Sequence, residues 1–439
     1  MRSLSLQEIL SLAARLLTER RTLWQNPKRS LDEIRAWQFA RIGKLVQHAY
    51  ENVPFYKDIY SSIGFQPGDL KTWEDFKSLP VITKDQVIAN YPHNMLARGE
   101  SVDELVISRS SGSSGKVLDI AYDSRAMGTY ILAGLRLYEM GFSYRPWHRQ
   151  LYVYTSPYPL DSLFGLYPMK FVPTLAPVQQ IIDQLLAYKP RLLVCYPSHL
   201  KQIAQEMTPL QRRSIGLRCI SVNSEMSTQK ERNALSEMFG CPVLDEYSSE
   251  ELTRIAAQCR QKKYHVFEDI NYLETLDEAG APTSGQGVLV GTNLHNFAMP
   301  MIRYKQNDLV TIENCDCPCG WHFRQITNLQ GRKNDNFIMP SGKILSSGFL
   351  LDATYDMILT YRDAVRDFCL IQDTATTVRL QVIPDAGWTE AIAALLQTKF
   401  VSFFEPTVTF AIEQVEVCEK TRTGKRNPII SHVCRGLQH

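Results

Sequence analysis

The stretch "RLLVCYPSHLKQIAQEM", Arg191 to Met207, decides the fold. A short, apolar, β-rich run passes directly into apolar residues at helical spacing. The same theme occurs on either side. "LYVYT" and "MKFV" lead to the helical "PVQQIIDQLLAYKP", and "LRCISVN" leads to "STQKERNALSEMFG". Strands alternating with helices are the signature of βαβ units and a mainly parallel sheet.

Working outward, "SLDEIRAWQFARIGKLVQHAYENV" from Ser30 reads as a helix. Ser30 and Glu33 form a capping box, and Pro54 is the stop. After Ser284 the texture changes to strands and turns, in "GQGVLVGTN" and "MIRYKQNDLVTI". After Gly331 a new rhythm begins. "VRDFCLIQD", "TTVRLQVIP" and "TVTFAIEQVEV" read as strands, and "GFLLDATYDMIL" and "TEAIAALLQTKFVSFF" as helices. The expected fold class is α/β: a large N-terminal domain with mainly parallel sheets and helices (1–331), then a small α+β C-terminal domain (332–439). The hinge falls near 332–335, at "GRKND".

The 439 residues carry a formal charge of +2, so there is no basic field for nucleic acid and no acidic tail. The opening "MRSLSLQEILSLAARLLTERR" alternates at helical spacing and carries Glu8, unlike a signal peptide. No apolar run approaches transmembrane length. A soluble, cytoplasmic protein is expected, its first helix packed on its own body.

"ISRSSGSSGKV", Ile107 to Val117, buries little and has poor propensity for helix or strand. Backbone N–H groups of a Gly-rich turn, with hydroxyls and a lysine, can converge on an anion. The Walker pattern is excluded, because only two residues separate Gly112 from Gly115 and Val117 stands where the magnesium-binding hydroxyl belongs. Taken alone, the run is as well a solvated linker as a phosphate cradle.

Its context resembles the adenylate-forming superfamily of acyl-CoA synthetases and firefly luciferase. The strand-like "ELVIS" and "VLDIAYD" flank the loop. "DEYSSEE" (Asp245 to Glu251), "MIRYKQNDLV" (Met301 to Val310), "GRKND" (Gly331 to Asp335) and "TRTGKRNP" (Thr421 to Pro428) follow in that superfamily's order. "NVPFYK" (Asn52 to Lys57) and "LPVITKDQV" (Leu79 to Val87) are similar to the branch containing phenylacetate–CoA ligases. The resemblance implies that ATP and a carboxylic acid form an acyl-adenylate and pyrophosphate, after which a thiol takes the acyl group. It also implies the roles. Ser110, Ser111, Gly112, Ser113, Ser114, Gly115 and Lys116 would hold the β- and γ-phosphates. Tyr247 would stack on adenine. Glu251 would bind Mg2+, with Glu250 its rival. Asp308 and Arg332 would reach the ribose. Lys425, on a mobile lid domain, would bridge the carboxylate and the α-phosphate. Ser248 stands where that family usually has glycine, and Asn334 where it has aspartate or lysine.

Ten cysteines are scattered along the chain, and in a reducing compartment they are free thiols or ligands. Three crowd "ENCDCPCGWH". Cys317 and Cys319 with the upstream Cys259 and His265 in "CRQKKYH" depart from finger spacing and read equally as unrelated residues. The phenylacetate–CoA ligase branch resembles the pattern, which implies a structural Zn2+ with four protein ligands. Cys315 is one ligand too many.

The expected function is an AMP-forming ligase for a carboxylic acid, with CoA or carrier-protein pantetheine as acceptor. "TSPYPLDSLFGLYP" (Thr155 to Pro168) sits where an acyl pocket would form and suits an aromatic acid, and "NSE" (Asn223 to Glu225) borders it. The alternatives are an enzyme passing its adenylate to an amine or hydroxyl, and a nucleotide-binding protein without thiol transfer. A homodimer is compatible with either.

Overall fold

The computed structural model describes residues 2–110, 117–332, 335–361, 363–419 and 426–433. The chain divides into two compact units. Met1–Ser224, Leu235–Gln306 and Thr311–Asn328 form the first, and Glu225–Ala234, Asn307–Val310 and Leu329–His439 form the second.

The first unit opens with helices Leu6–Gln25 and Leu31–Asn52, each started by a capping box, Ser5 with Glu8 and Ser30 with Glu33. Pro54 begins a further helix, Pro54–Ser62, where its missing N–H costs nothing. The first helix buries Leu12 and Leu16 and leaves Leu6, Leu10 and Leu17 exposed. Arg15 donates to the Thr129 hydroxyl at 2.8 Å, and Arg20 pairs with Glu139, both on helix Ser124–Phe142. That helix therefore packs on the body of its own unit. Among the described residues no helix is long and apolar enough to cross a membrane.

The strands, in chain order, are β1 (Val106–Arg109), β2 (Asp119–Tyr122), β3 (Gln150–Tyr154), β4 (Met169–Pro173), β5 (Leu192–Cys195), β6 (Cys219–Asn223), β7 (Val243–Ser249), β8 (Thr253–Gln258), β9 (Tyr264–Val266), β10 (Asn271–Leu276), β11 (Gly287–Asn293), β12 (Tyr304–Glu313) and β13 (Gln325–Arg332). β1 and β2 pair as a separate antiparallel hairpin. The other eleven of these form one sheet among the described residues, in the order β10-β11-β12-β13-β9-β8-β7-β6-β5-β3-β4. From β4 to β7 every pair is parallel, as the alternation of strands and helices requires. β7–β8, β8–β9, β9–β13 and β10–β11 are antiparallel, so the sheet is mixed. For β7–β8 and β8–β9 the physical reason is the length of the links. Glu250–Leu252 and the short 259–263 turn leave no room for the crossover of a dozen residues that parallel pairing needs.

Buried polar groups tie the N-terminal helices to this sheet. Arg136, 1% exposed, pairs with Asp269, and Asn26 donates to the same carboxylate at 2.8 Å. Burial pushes Asp269 up, but Arg136 and Asn26 outweigh it and hold the carboxyl below the usual range. Gln38 donates to Glu268, which also accepts from Arg324 at 2.6 Å. Arg303 donates to Glu274 at 2.7 Å.

The second unit contains β14 (Phe337–Ile338), β15 (Ile344–Leu345), β16 (Val365–Thr374), β17 (Thr377–Pro384), β18 (Thr409–Gln414) and β19 (Ile429–Ser431). β18-β17-β16-β19 form a sheet whose one antiparallel pair is β16–β17. Helices Ser347–Leu359 and Glu390–Val401 belong to the same unit, whose core includes Leu350, Phe368, Leu380, Leu396 and Phe400. Gly331 has φ +77°, and a Cβ there would lie 2.7 Å from Ser347 Oγ, so glycine is required on both counts.

Asp269→Ala should leave the buried Arg136 unpaired and lower the unfolding free energy by about 3–5 kcal/mol, read from urea denaturation. Because the native pKa of Asp269 is depressed, its contribution is complete above about pH 4 and lost as pH falls through the native value.

Candidate active site

β3 lies between β4 and β5, so the chain leaves it first to one side and later to the other. In open α/β sheets such a switch point opens a crevice at the carboxyl ends of the strands. Tyr154 and Asn223 are the last residues of β3 and β6, and Tyr247 lies two residues before the end of β7.

A cavity beneath them has about 40 Å³ of room for the centres of water molecules. That is space for a few waters. Tyrosines dominate its walls: Tyr130 and Tyr138 from helix Ser124–Phe142, Tyr152 and Tyr154 from β3, and Tyr158 and Tyr167 from the loop that follows. Tyr152 and Tyr154 stack with centroids 4.8 Å apart, and Tyr158 meets Tyr152 edge-on at 5.6 Å. Burial pushes Tyr130, Tyr152 and Tyr154 well above the ordinary phenol value, so all are neutral. Tyr158, Leu160 and Tyr167 come from the stretch read as an acyl pocket, and Asn223 from the "NSE" beside it.

Sequence reasoning missed the cavity's charged wall. Glu246 on β7 accepts from Arg254 on β8, and the two are 3% and 4% exposed. The Arg254 guanidinium lies 4.9 Å from the Tyr130 ring centre and 5.5 Å from that of Tyr138. A Cβ on Gly134 would fall 2.6 Å from Arg254 Nη2, so the helix can cover this arginine only where it carries glycine. Burial raises Glu246, and Arg254 pulls it back. The available signal was a pair of charges embedded in otherwise apolar strand runs, "VLDEY" and "TRIAAQ".

The hairpin carrying the serine-glycine loop is fastened at its base. Ser110 N–H donates to Leu118 O at 2.8 Å, and Leu118 N–H donates to Ser110 Oγ at 2.9 Å. Ser108 on β1 donates to the Glu250 carboxylate, and Tyr122 on β2 donates to the Glu250 carbonyl. Both legs thus hold one residue of the carboxylate pair that follows β7. Its neighbour Glu251 is buried and accepts from Tyr304 Oη at 2.9 Å. The Glu250 charge reaches Tyr130 and Tyr154 in the cavity wall, adding to their raised pKa values. Ser111, Gly112, Ser113, Ser114, Gly115, Lys116, Asn334 and Lys425 lie outside the described residues. In the second unit Asp308 is buried on β12 and Arg332 is exposed at the end of β13. Arg426 is buried there, its N–H donating to Glu225 at 2.8 Å and its guanidinium 2.8 Å from Asp367.

A second cluster, apart from the cavity, brings Cys259, His265, Cys317 and Cys319 together, with their ligand atoms all within 4.8 Å of one another. Cys259 Sγ and Cys317 Sγ are 3.7 Å apart, and Cys319 Sγ is 3.3 Å from His265 Nε2. A tetrahedral zinc with ~2.3 Å Zn–S and ~2.0 Å Zn–N bonds would have edges of ~3.8 and ~3.5 Å. His265 Nδ1 is 3.1 Å from Phe323 O, an orienting hydrogen bond that leaves Nε2 free to ligate. Burial lowers His265 and pushes Cys319 up to about 12, so the imidazole is neutral and a cation would be needed to draw off the thiol proton. The Cys315 thiol is not in this group; its carbonyl accepts from Gln325 at 2.7 Å.

The parallel half of the sheet thus ends at an aromatic cavity, and the hairpin that leads into the serine-glycine run is pinned to Glu250, the first of a carboxylate pair. The comparisons narrow the likeness. No protein-family model matches the chain. A phenylacetate–coenzyme A ligase of Aromatoleum evansii is 26% identical over 439 residues, spanning 91% of this chain and 96% of its own. The Pseudomonas putida enzyme of the same name is 27% identical over 332 residues, 71% of this chain and 73% of its own. The crystal structure of a 2-hydroxyisobutyryl-CoA ligase in complex with 2-HIB-AMP superposes with a TM-score of 0.77 at 21% identity, covering 94% of this chain and 93% of that one. In fold the chain is similar to these acyl-CoA ligase structures, and its sequence similarity to the phenylacetate–coenzyme A ligase of Aromatoleum evansii extends over nearly its whole length.

Arg254→Leu should strand the Glu246 carboxylate and cost about 3–5 kcal/mol in urea unfolding, whereas Glu246→Leu/Arg254→Leu together should recover most of that loss. A double variant as unstable as the single one would contradict the pairing.

Proposed function

We propose that the protein is an AMP-forming acid–thiol ligase. It joins ATP and a small carboxylic acid into an acyl-adenylate with release of pyrophosphate, then passes the acyl group to the thiol of CoA or of a carrier-protein pantetheine. One observation carries the reading: the hairpin that leads into the serine-glycine run is pinned to Glu250, whose charge reaches Tyr130 and Tyr154 in the wall of the tyrosine cavity. A chain that must bring a carboxylate to the α-phosphate of ATP needs an acyl pocket beside a polyphosphate cradle. The names of its relatives support the same chemistry.

The carboxylate oxygen is itself the nucleophile, so no general base is needed. It attacks the α-phosphorus, and the bond to the bridging oxygen of pyrophosphate breaks. Ser110 to Lys116 would hold the leaving phosphates, Tyr247 would stack on adenine, and Asp308 and Arg332 would hold the ribose. Lys425 would offset the charge that repels the two anionic reactants. Glu251, with Glu250 beside it, would hold Mg2+, which when bound neutralises phosphate charge. In this reading 1–331 is the adenylation domain and 332–439 a mobile lid turning near 332–335, which would withdraw Lys425 for thiol transfer. Cys259, His265, Cys317 and Cys319 fit Zn2+ as a closed structural site joining two loops, with no open position for substrate. Free thiols at the remaining described cysteines suit a cytoplasmic location.

Acid-dependent ATP–pyrophosphate exchange is the expected activity, and Lys425→Ala should lower it by about 100-fold or more. Exchange that survives this change would remove the role given to the lysine, and no exchange with any acid would overturn the function. Metal analysis should find one zinc per chain, lost in Cys317→Ser together with several degrees of melting temperature. A zinc-free native protein would refute the brace.

A further inference from the structure

Six large apolar side chains stand exposed in one region of the first unit. Leu6, Leu10 and Leu17 follow one another at helical spacing on one face of the first helix, and Leu17 is 83% exposed. The segment 159–167 runs beside that helix and is tied to it at both ends. Leu4 N–H donates to Pro159 O at 2.9 Å, and Arg20 donates to Tyr167 Oη at 3.3 Å. Between these ties, Leu163 and Leu166 exchange backbone hydrogen bonds of 2.8 and 3.0 Å around a two-residue tip, Phe164 and Gly165. Phe164 has φ +50°, in the left-handed region where a bulky side chain is strained, and it is 60% exposed. Leu166 beside it is exposed as well. Tyr167 N–H donates to Pro146 O, next to Trp147, which is 70% exposed. The helix face, the turn tip and the Trp147 turn are therefore neighbours, and each turns an apolar group outward. Apolar groups gathered in this way mark a contact surface, as single exposed leucines do not.

The charges around it select the partner. Arg21 follows Leu17 by four residues, so it lies on the leucine face, and it is exposed. The helix's acids, Glu8 and Glu19, are each two residues from a leucine of the stripe, about 200° around the helix, and Arg2 and Arg15 engage them. Lys28 beyond the helix and Arg145 beside Trp147 are exposed too, against Asp161 on the loop. From Arg2 to Arg29 six cations stand against two acids, although the whole chain is only +2. Such a face repels a second copy of itself and attracts an anionic surface. We infer that it is a peripheral membrane contact for bilayers that contain acidic phospholipid. The leucines and Phe164 enter the interface, Trp147 sits at headgroup level, and Arg21 meets lipid phosphate. The helix's inner face, with Leu12 and Leu16 buried and Arg15 bonded to Thr129, stays packed throughout, so contact requires no unfolding.

The test is co-sedimentation of the intact protein with vesicles of phosphatidylcholine alone or mixed with phosphatidylglycerol. The mixed vesicles should bind it, and binding should weaken about tenfold or more at about 1 M salt, where the Debye length is ~3 Å. At low salt Leu10→Asp/Leu17→Asp should weaken it about 30-fold or more, and Arg21→Glu about fivefold or more. Leu210→Asp, a change at another bare leucine of the same unit, should leave binding as it is. Circular dichroism and thermal melting check that the variants fold. If the leucine pair change unfolds the chain, Arg21→Glu and the salt series decide. No binding to the mixed vesicles, equal binding to both kinds, or binding undiminished by the substitutions overturns the inference. So does self-association, measured by sedimentation velocity, that Leu10→Asp/Leu17→Asp abolishes in a chain that ignores vesicles, since the face would then belong to a second copy.

Discussion

Two opposite charges, Glu246 and Arg254, sit in the first unit with almost no water around them, and much of that unit is arranged to keep them paired. A lone charge in such a place would cost several kcal/mol, so the partner must be held in reach at all times. β7 and β8 do this by antiparallel pairing across a short turn. Helix Ser124–Phe142 closes over the pair, presenting Gly134 where any side chain would collide and tyrosine faces where the guanidinium needs a companion. A polar pair cannot be packed over as leucines can, and the space in front of it stays open.

The same principle recurs through the antiparallel half of the sheet. Arg136 with Asp269, Arg324 with Glu268 and Arg303 with Glu274 are buried ion pairs supported by amides or backbone carbonyls. Each joins segments far apart in the chain. Such pairs contribute less to net stability than apolar packing would, but breaking one is costly. They fix which helix lies on which strand, and so hold the floor on which the cavity and the hairpin stand.

The sequence was most legible where local rules govern. The βαβ rhythm located β3 to β6 and their helices, and Ser30 with Glu33 marked a real capping box. "ELVIS" and "VLDIAYD" are the two legs of a hairpin. Strand direction was harder to read. β8, β10 and β11 are buried along their whole length, so their apolar runs resemble those of parallel strands, and only the short links between them mark the change. Spacing alone did not bring Cys259 and His265 to Cys317 and Cys319; β9 and β13 pair to do so, a tertiary event with no local signature. Glu246 and Arg254 escaped notice because the run around them reads as a motif, and because charged residues are assumed to face water. Arg136, inside the helical "LRLYEM", was hidden for the same reason.

Among the described residues, every wall of the tyrosine cavity comes from the first unit. The shape of this cavity is therefore set by the first unit. A lineage could reshape it by trading a few side chains on β3, β7 and one helix, leaving the rest untouched. Gly134 sets the boundary of that freedom: a descendant that gave up the buried arginine would be released to fill the glycine's gap, and would exchange a polar chamber for a greasy one in a single evolutionary move.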